Sequence, residues 1–102
     1  MTEFSEKVFD AVIKIPCGRV TTYGQIAIIC GHKGAFRAVG STLHKNPVFG
    51  MIPCHRVVNS KGELAENYVF GGKEVQKNLL LEEGIEFSEE YVVNMRKHFW
   101  FG

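Results

Sequence analysis

Helix-stopping residues recur along this chain and hold it to short elements. Pro16 with Gly18, Gly31, Asn46-Pro47, Gly71-Gly72 and Gly84 each interrupt an apolar pattern of helical period, because proline cannot continue a helix and glycine readily takes the backbone turn that ends one. Phe4, Val8, Phe9, Val12 and Ile13 predict a first helix over 2–14. Thr22 followed three residues later by Gln25 reads as a capping box, opening a second helix through Ile26, Ala27, Ile28 and Ile29. Beyond His32-Lys33, a third helix carries Ala35, Ala38, Val39, Thr42 and Leu43 on one face and Gly34, Arg37, Ser41 and His44 on the other. Val75, Leu79 and Leu80 fit a fourth, and a last helix is expected from Ser88 through Tyr91, Val92 and Met95. Asn59-Ser60-Lys61-Gly62, flanked by Val57-Val58 and Glu63-Leu64-Ala65, predicts a small β-hairpin.

A chain of 102 residues fits one domain spanning 1–102, large enough to fold without disulfides or metal. Cys17, Cys30 and Cys54 are odd in number and lack CxxC spacing, so neither a disulfide framework nor a metal site is expected. No apolar run is long enough for a bilayer, and the first residues lack the pattern of a signal peptide, which predicts no membrane partner and a cytoplasmic location.

The net charge of +1 conceals a segregation. Between Lys14 and Lys61 there is no Asp or Glu, while Lys14, Arg19, Lys33, Arg37, Lys45, Arg56 and Lys61 all fall there. Such a segment suits a polyanion, since phosphate neutralisation supplies most non-specific nucleic-acid affinity, although a chance cluster of solvated cations would read the same way. The second and third helices have the outline of a helix-turn-helix, and the hairpin that of a wing. The expected fold is therefore mainly α with a small β-hairpin, of winged helix-turn-helix type.

Within Ile52-Pro53-Cys54-His55-Arg56-Val57-Val58 a thiol stands beside an imidazole in a basic stretch. A nearby base and cations raise the thiolate fraction, and the thiolate is the nucleophile. The same pair also fits a small buried cysteine beside a hydrogen-bonded core histidine.

The wider arrangement separates these readings. Pro53-Cys54-His55-Arg56-Val57 is preceded by Thr22-Tyr23-Gly24-Gln25-Ile26-Ala27, Arg37-Ala38-Val39-Gly40 and Asn46-Pro47-Val48, and followed by Gly71-Gly72 and Glu83-Gly84. In this order the motifs resemble the DNA-binding domain of the O6-alkylguanine-DNA alkyltransferases and their smaller alkyltransferase-like relatives, over roughly residues 4–86. The resemblance implies that Cys54 accepts an alkyl group, that His55 withdraws its proton through a water, that Glu83 orients His55, and that Asn46 braces the neighbouring turn. Tyr23 would contact a flipped nucleotide and Arg37 would fill the gap it leaves. Ala35, Ala38, Gly40 and Ser41 would let the helix approach the minor groove, and Arg56 would add a DNA contact. The pocket would be walled by Tyr23, Pro53, Val57 and Tyr68.

The implied partner is double-stranded DNA containing O6-alkylguanine, with no cofactor. A monomer is expected, and hand-off to other repair proteins fits the same scheme. Stoichiometric transfer to Cys54 is the leading expectation. The alternative is lesion binding without efficient transfer, and a thiol hydrolase is a third class that the acid-free segment counts against. The chain departs from the repair-competent pattern in two ways. It begins almost at the DNA-binding portion, and it carries Val69-Phe70 where such members commonly have one small residue. It departs from the alkyltransferase-like pattern by keeping Cys54, a position often occupied there by tryptophan.

Overall fold

The computed structural model describes residues 3–45 and 51–102. The first helix, α1 (Glu3–Ile13), turns Val8, Phe9, Ala11 and Val12 inward. After the Pro16–Gly18 turn, β1 (Thr21–Thr22) runs into α2 (Tyr23–Ile29). The Thr22 hydroxyl accepts a hydrogen bond from the Gln25 amide at 3.0 Å, satisfying one of the free N–H groups of the helix start. The reciprocal half of the expected capping box is not made, because the Gln25 side chain donates to the Phe101 carbonyl at 2.8 Å instead. Gly31 ends α2 with φ of 81°, and the amides of Gly31 and His32 return to Ile28 and Ala27, a Schellman closure.

Next, α3 (Phe36–His44) buries Val39 and Leu43 and packs on α2 and α1. Each such side chain contributes about 1.5–3 kcal/mol on leaving water. Ala38, placed by its spacing on the core face, is exposed; the buried stripe is narrower than the periodicity suggested.

The Cys54–Arg56 segment forms one 3-10 turn and leads into β2 (Val57–Val58). Here the expected hairpin is corrected. Val57 and Val58 pair in parallel with Thr21 and Thr22, while Glu63 bridges Val92. Both valines are fully buried, and a strand covered on both faces suits parallel pairing better than a half-solvated ribbon. Val57 joins the core under the first three helices, and Val58 joins a second cluster with Val20, Leu64, Leu80, Ile85 and Val93. The Asn59–Gly62 turn does form, closed by Gly62 N–H to the Asn59 carbonyl at 2.9 Å and by the Asn59 side chain, which accepts from the Lys61 and Glu63 amides at 2.9 Å each.

α4 (Lys73–Glu82) ends in a second Schellman closure, with Gly84 and Ile85 returning to Leu81 and Leu80. The helix expected from Ser88 is also corrected. β3 (Phe87–Glu89) and β4 (Val92–Val93) pair antiparallel, and only α5 (Met95–His98) is helical. Phe87, Val92 and Val93 are aromatic or β-branched, so they favour strand where their spacing alone allowed helix. The chain end then lies along β1. Phe99 bridges Val20 in parallel, and the Thr21 hydroxyl donates to the Trp100 carbonyl at 2.9 Å.

The described residues are thus mainly helical with two small sheets. None of their helices is long and apolar enough to cross a membrane.

Candidate functional site

Cys54 opens the 3-10 turn and is only 6% exposed. Its thiol is the hydrogen-bond partner of the Tyr68 hydroxyl. Burial first, and then proximity to Cys54, raise the Tyr68 phenol and, less strongly, the Tyr23 phenol above the ordinary value. Both tyrosines are therefore neutral donors at physiological pH. They stand with Gly40, Leu43, His44, Cys54, Ala65, Asn67 and Val69 around a cavity of about 50 Å³. A Cβ on Gly40 would lie 3.9 Å from the Tyr23 ring, so the glycine lets α3 and the tyrosine sit close. Tyr23 and Tyr68 fall where the sequence placed them. Pro53 and Val57, also expected as walls, are buried but are not among the described lining residues; Val57 turns into the core beneath.

His55 Nε2 lies 2.7 Å from Glu83 Oε2. Against an ionised carboxylate Nε2 must be the donor, which leaves Nδ1 as the ring nitrogen able to accept a proton. The Glu83 carboxylate is also gripped by Arg56, with Nε on Oε1 and Nη2 on Oε2, each at 2.9 Å. Burial by itself raises the Glu83 carboxyl, but hydrogen bonds and charge from Arg56 and His55 outweigh it and hold it below its ordinary value. Arg56 was expected on DNA. The structure instead directs its guanidinium inward, because its third nitrogen, Nη1, donates to the Ile15 carbonyl at 2.7 Å. In this fold Arg56 braces α1, the Cys54 turn and the end of α4 against one another.

Sequence reasoning missed Gln76. Its side chain is fully buried and bridges three backbone groups: Nε2 donates to the carbonyls of His55 at 3.1 Å and Val57 at 3.2 Å, and Oε1 accepts from the Ala65 amide at 2.9 Å. It ties α4 to both sides of the cavity. A glutamine on the inward stripe of an amphipathic helix, beside Leu80, was the available signal.

Arg37 projects from α3 into solvent, with its guanidinium carbon 5.9 Å from the Phe36 ring centroid. Ser41 and Ala38 are exposed on the same helix, and Ala35, just before it, is half-buried. The expected brace, Asn46, lies outside the described residues. A larger recess of about 460 Å³ lies on the other side of Tyr23, lined also by Asn59, Glu63, Ala65, Lys73 and Tyr91. No group of three or more potential metal ligands occurs among the described residues.

Comparison with known proteins agrees with this geometry. A family model described as the 6-O-methylguanine DNA methyltransferase DNA-binding domain matches residues 3–85. Alkyltransferase-like protein 1 of Schizosaccharomyces pombe is 40% identical over 105 residues, covering 98% of this chain and 96% of that protein. A crystal structure of S. pombe Atl1 in complex with damaged DNA containing O6-carboxymethylguanine matches with a TM-score of 0.86 at 38% identity, covering 98% and 96% of the two chains. A DNA base-flipping protein of Vibrio parahaemolyticus is 37% identical over 98% of both proteins. The methylated-DNA–protein-cysteine methyltransferase of Mycobacterium leprae is 42% identical over 81 residues, and the match spans only 47% of its length. The chain therefore belongs to the family of 6-O-methylguanine DNA methyltransferase DNA-binding domains, and it matches alkyltransferase-like members over nearly their whole length.

Proposed function

We propose that this protein binds alkylated duplex DNA, flips O6-alkylguanine out of the stack and holds it against the Cys54 cavity as a lesion-binding, alkyltransferase-like protein. The carrying observation is the match, over nearly the whole of both chains, to a relative crystallised on DNA containing O6-carboxymethylguanine. In this reading α2 and α3 form the helix-turn-helix and the Asn59–Gly62 turn plays the part of the wing. Arg37, exposed on α3, fills the space left by the flipped base, and Tyr23 and Tyr68 receive it. A base inside a duplex cannot reach a side chain as buried as Cys54, so extrusion is mechanically required.

A second reading, single-turnover alkyl transfer, is favoured by one specific arrangement: Cys54 next to a histidine already oriented by Glu83. His55 would take the thiol proton, the sulfur would form a bond to the alkyl carbon, the bond from that carbon to O6 would break, and the guanine would leave unalkylated. No cofactor enters that balance.

The test is to incubate the protein with duplex DNA bearing one O6-methylguanine, weigh the intact chain by mass spectrometry and measure affinity for damaged and undamaged duplexes. Preference for the damaged duplex without a mass gain supports lesion binding. One methyl per chain that is abolished by Cys54→Ala establishes transfer instead. Absence of both preference and mass gain refutes both readings.

A further inference from the structure

The family match ends at residue 85, yet the segment beyond it is built into the face that carries the Asn59–Gly62 turn. Val93 N–H donates to the Gly62 carbonyl at 2.9 Å. A Cβ on Gly62 would meet Met95 Cγ at 2.8 Å and the Val93 carbonyl at 2.9 Å, so turn and segment are in direct contact. The parallel register pairs Thr22 with Val58, and Ser60 lies two residues beyond, in the turn that follows the strand. The Val20–Phe99 bridge brings the chain end to the other side of β1. Between these elements lies a recess of about 400 Å³ whose described walls are Thr22, Ser60, Met95, Arg96 and Phe99.

The chemistry of those walls selects an anion. Arg96 is exposed and forms no ion pair among the described residues, whereas its neighbour Lys97 is paired with Glu86. No carboxylate is among the described walls of the recess. The Thr22 oxygen accepts from Gln25, so its hydroxyl proton is available to donate outward, and Ser60 supplies a second hydroxyl. Lys61, exposed at the adjacent turn position, adds positive potential. Met95 and Phe99 give an apolar wall suited to a deoxyribose. Thr22 directly precedes Tyr23, which borders the Cys54 cavity.

We propose that this recess is a backbone-phosphate site, with Arg96 as its cation, so that the C-terminal segment forms part of the DNA interface. The inference rests on the proposed DNA-binding function and adds to it a contact from beyond the family-matched residues. A phosphate contact positions the duplex and carries no lesion information.

The test uses the full chain and measures binding to damaged and undamaged duplexes by fluorescence anisotropy across a series of salt concentrations. Arg96→Ala is expected to weaken both complexes by the same factor and to reduce the slope of log affinity against log salt by about 0.9, the value of one phosphate contact. Arg96→Lys should retain the wild-type slope, because charge is conserved. An unchanged slope for Arg96→Ala, in a protein whose wild type binds DNA, overturns the phosphate site and leaves the functional proposal standing. Loss of affinity for the damaged duplex alone overturns it too, by making Arg96 a lesion reader. A wild type that binds neither duplex overturns the functional proposal, and this site with it.

Discussion

Replacing Gln76 with methionine tests whether the cavity is held in shape by one side chain. Methionine keeps the length and most of the volume but removes every hydrogen bond, so the measured loss is polar. Three backbone groups lose their partner: the His55 and Val57 carbonyls and the Ala65 amide. A buried polar group left unsatisfied costs about 1–3 kcal/mol. Only the Val57 contact is fully buried, the other two being part-buried, so the low end of that range applies to two of the three. The sum is about 3–5 kcal/mol, a large fraction of the roughly 5–15 kcal/mol that stabilises an ordinary domain, and it should lower the melting temperature by roughly 12–40 °C. Urea denaturation with an unchanged m-value is the assay, and Asn78→Ala, on the exposed face of the same helix, should stay within about 0.5 kcal/mol of wild type. A loss below about 1 kcal/mol for Gln76→Met would refute the reasoning, because water would then be satisfying groups that the structure places away from it.

The Glu83 carboxyl is held below its ordinary value in the folded chain by Arg56 and His55. Its stabilising contribution is therefore complete above the unfolded value and lost as pH falls through the lowered folded one; Glu83→Gln should flatten that acid limb, as read by urea midpoints between about pH 7 and about pH 3. Gly62 and Gly34 share a positive φ, 83° and 90°, but a Cβ on Gly62 meets Met95 and the Val93 carbonyl, while one on Gly34 meets nothing within 4 Å. Gly34→Ala should thus cost only the backbone strain, about 1 kcal/mol, and Gly62→Ala should cost at least about 2 kcal/mol more, both read by thermal melts; equal costs would mean that the Met95 side of the turn yields freely.

What the sequence made legible was local. Thr22, Gly31 and Gly84 mark helix ends by interactions that reach no further than a few residues, and each end lies where those residues put it. The long-range pairings left no such mark. Nothing near Val57-Val58 announces a partner at Thr21-Thr22, and a turn sequence as good as Asn59–Gly62 suggested the wrong one. The apolar spacing after Ser88 fits a strand pair as well as a helix, and only packing against Leu64 and Leu80 decides between them. At the site, the contact between His55 and Glu83, 28 residues apart, was reached through family resemblance and not through any pattern in the residues. The partners of Arg56 were out of view for a related reason: a basic residue in a basic stretch looks like a phosphate ligand, and only the fold brings the Glu83 carboxylate and the Ile15 carbonyl to it.

The placement of Arg56 bears on how Cys54 could react. Its guanidinium shares the Glu83 carboxylate that also fixes the His55 ring. Two of the cavity walls near the sulfur are the Tyr23 and Tyr68 phenols, and burial keeps both of them neutral. A Cys54 thiolate would thus accept from the Tyr68 hydroxyl, while Arg56 is committed to Glu83. Access is the second constraint. The cavity beside Cys54, about 50 Å³, has room for a few waters and not for a whole purine, so in the proposed function most of a flipped base would lie outside it. Tyr68 is both a wall of that cavity and the hydrogen-bond partner of Cys54, so in the proposed function a base entering there would meet the group that would stabilise the thiolate.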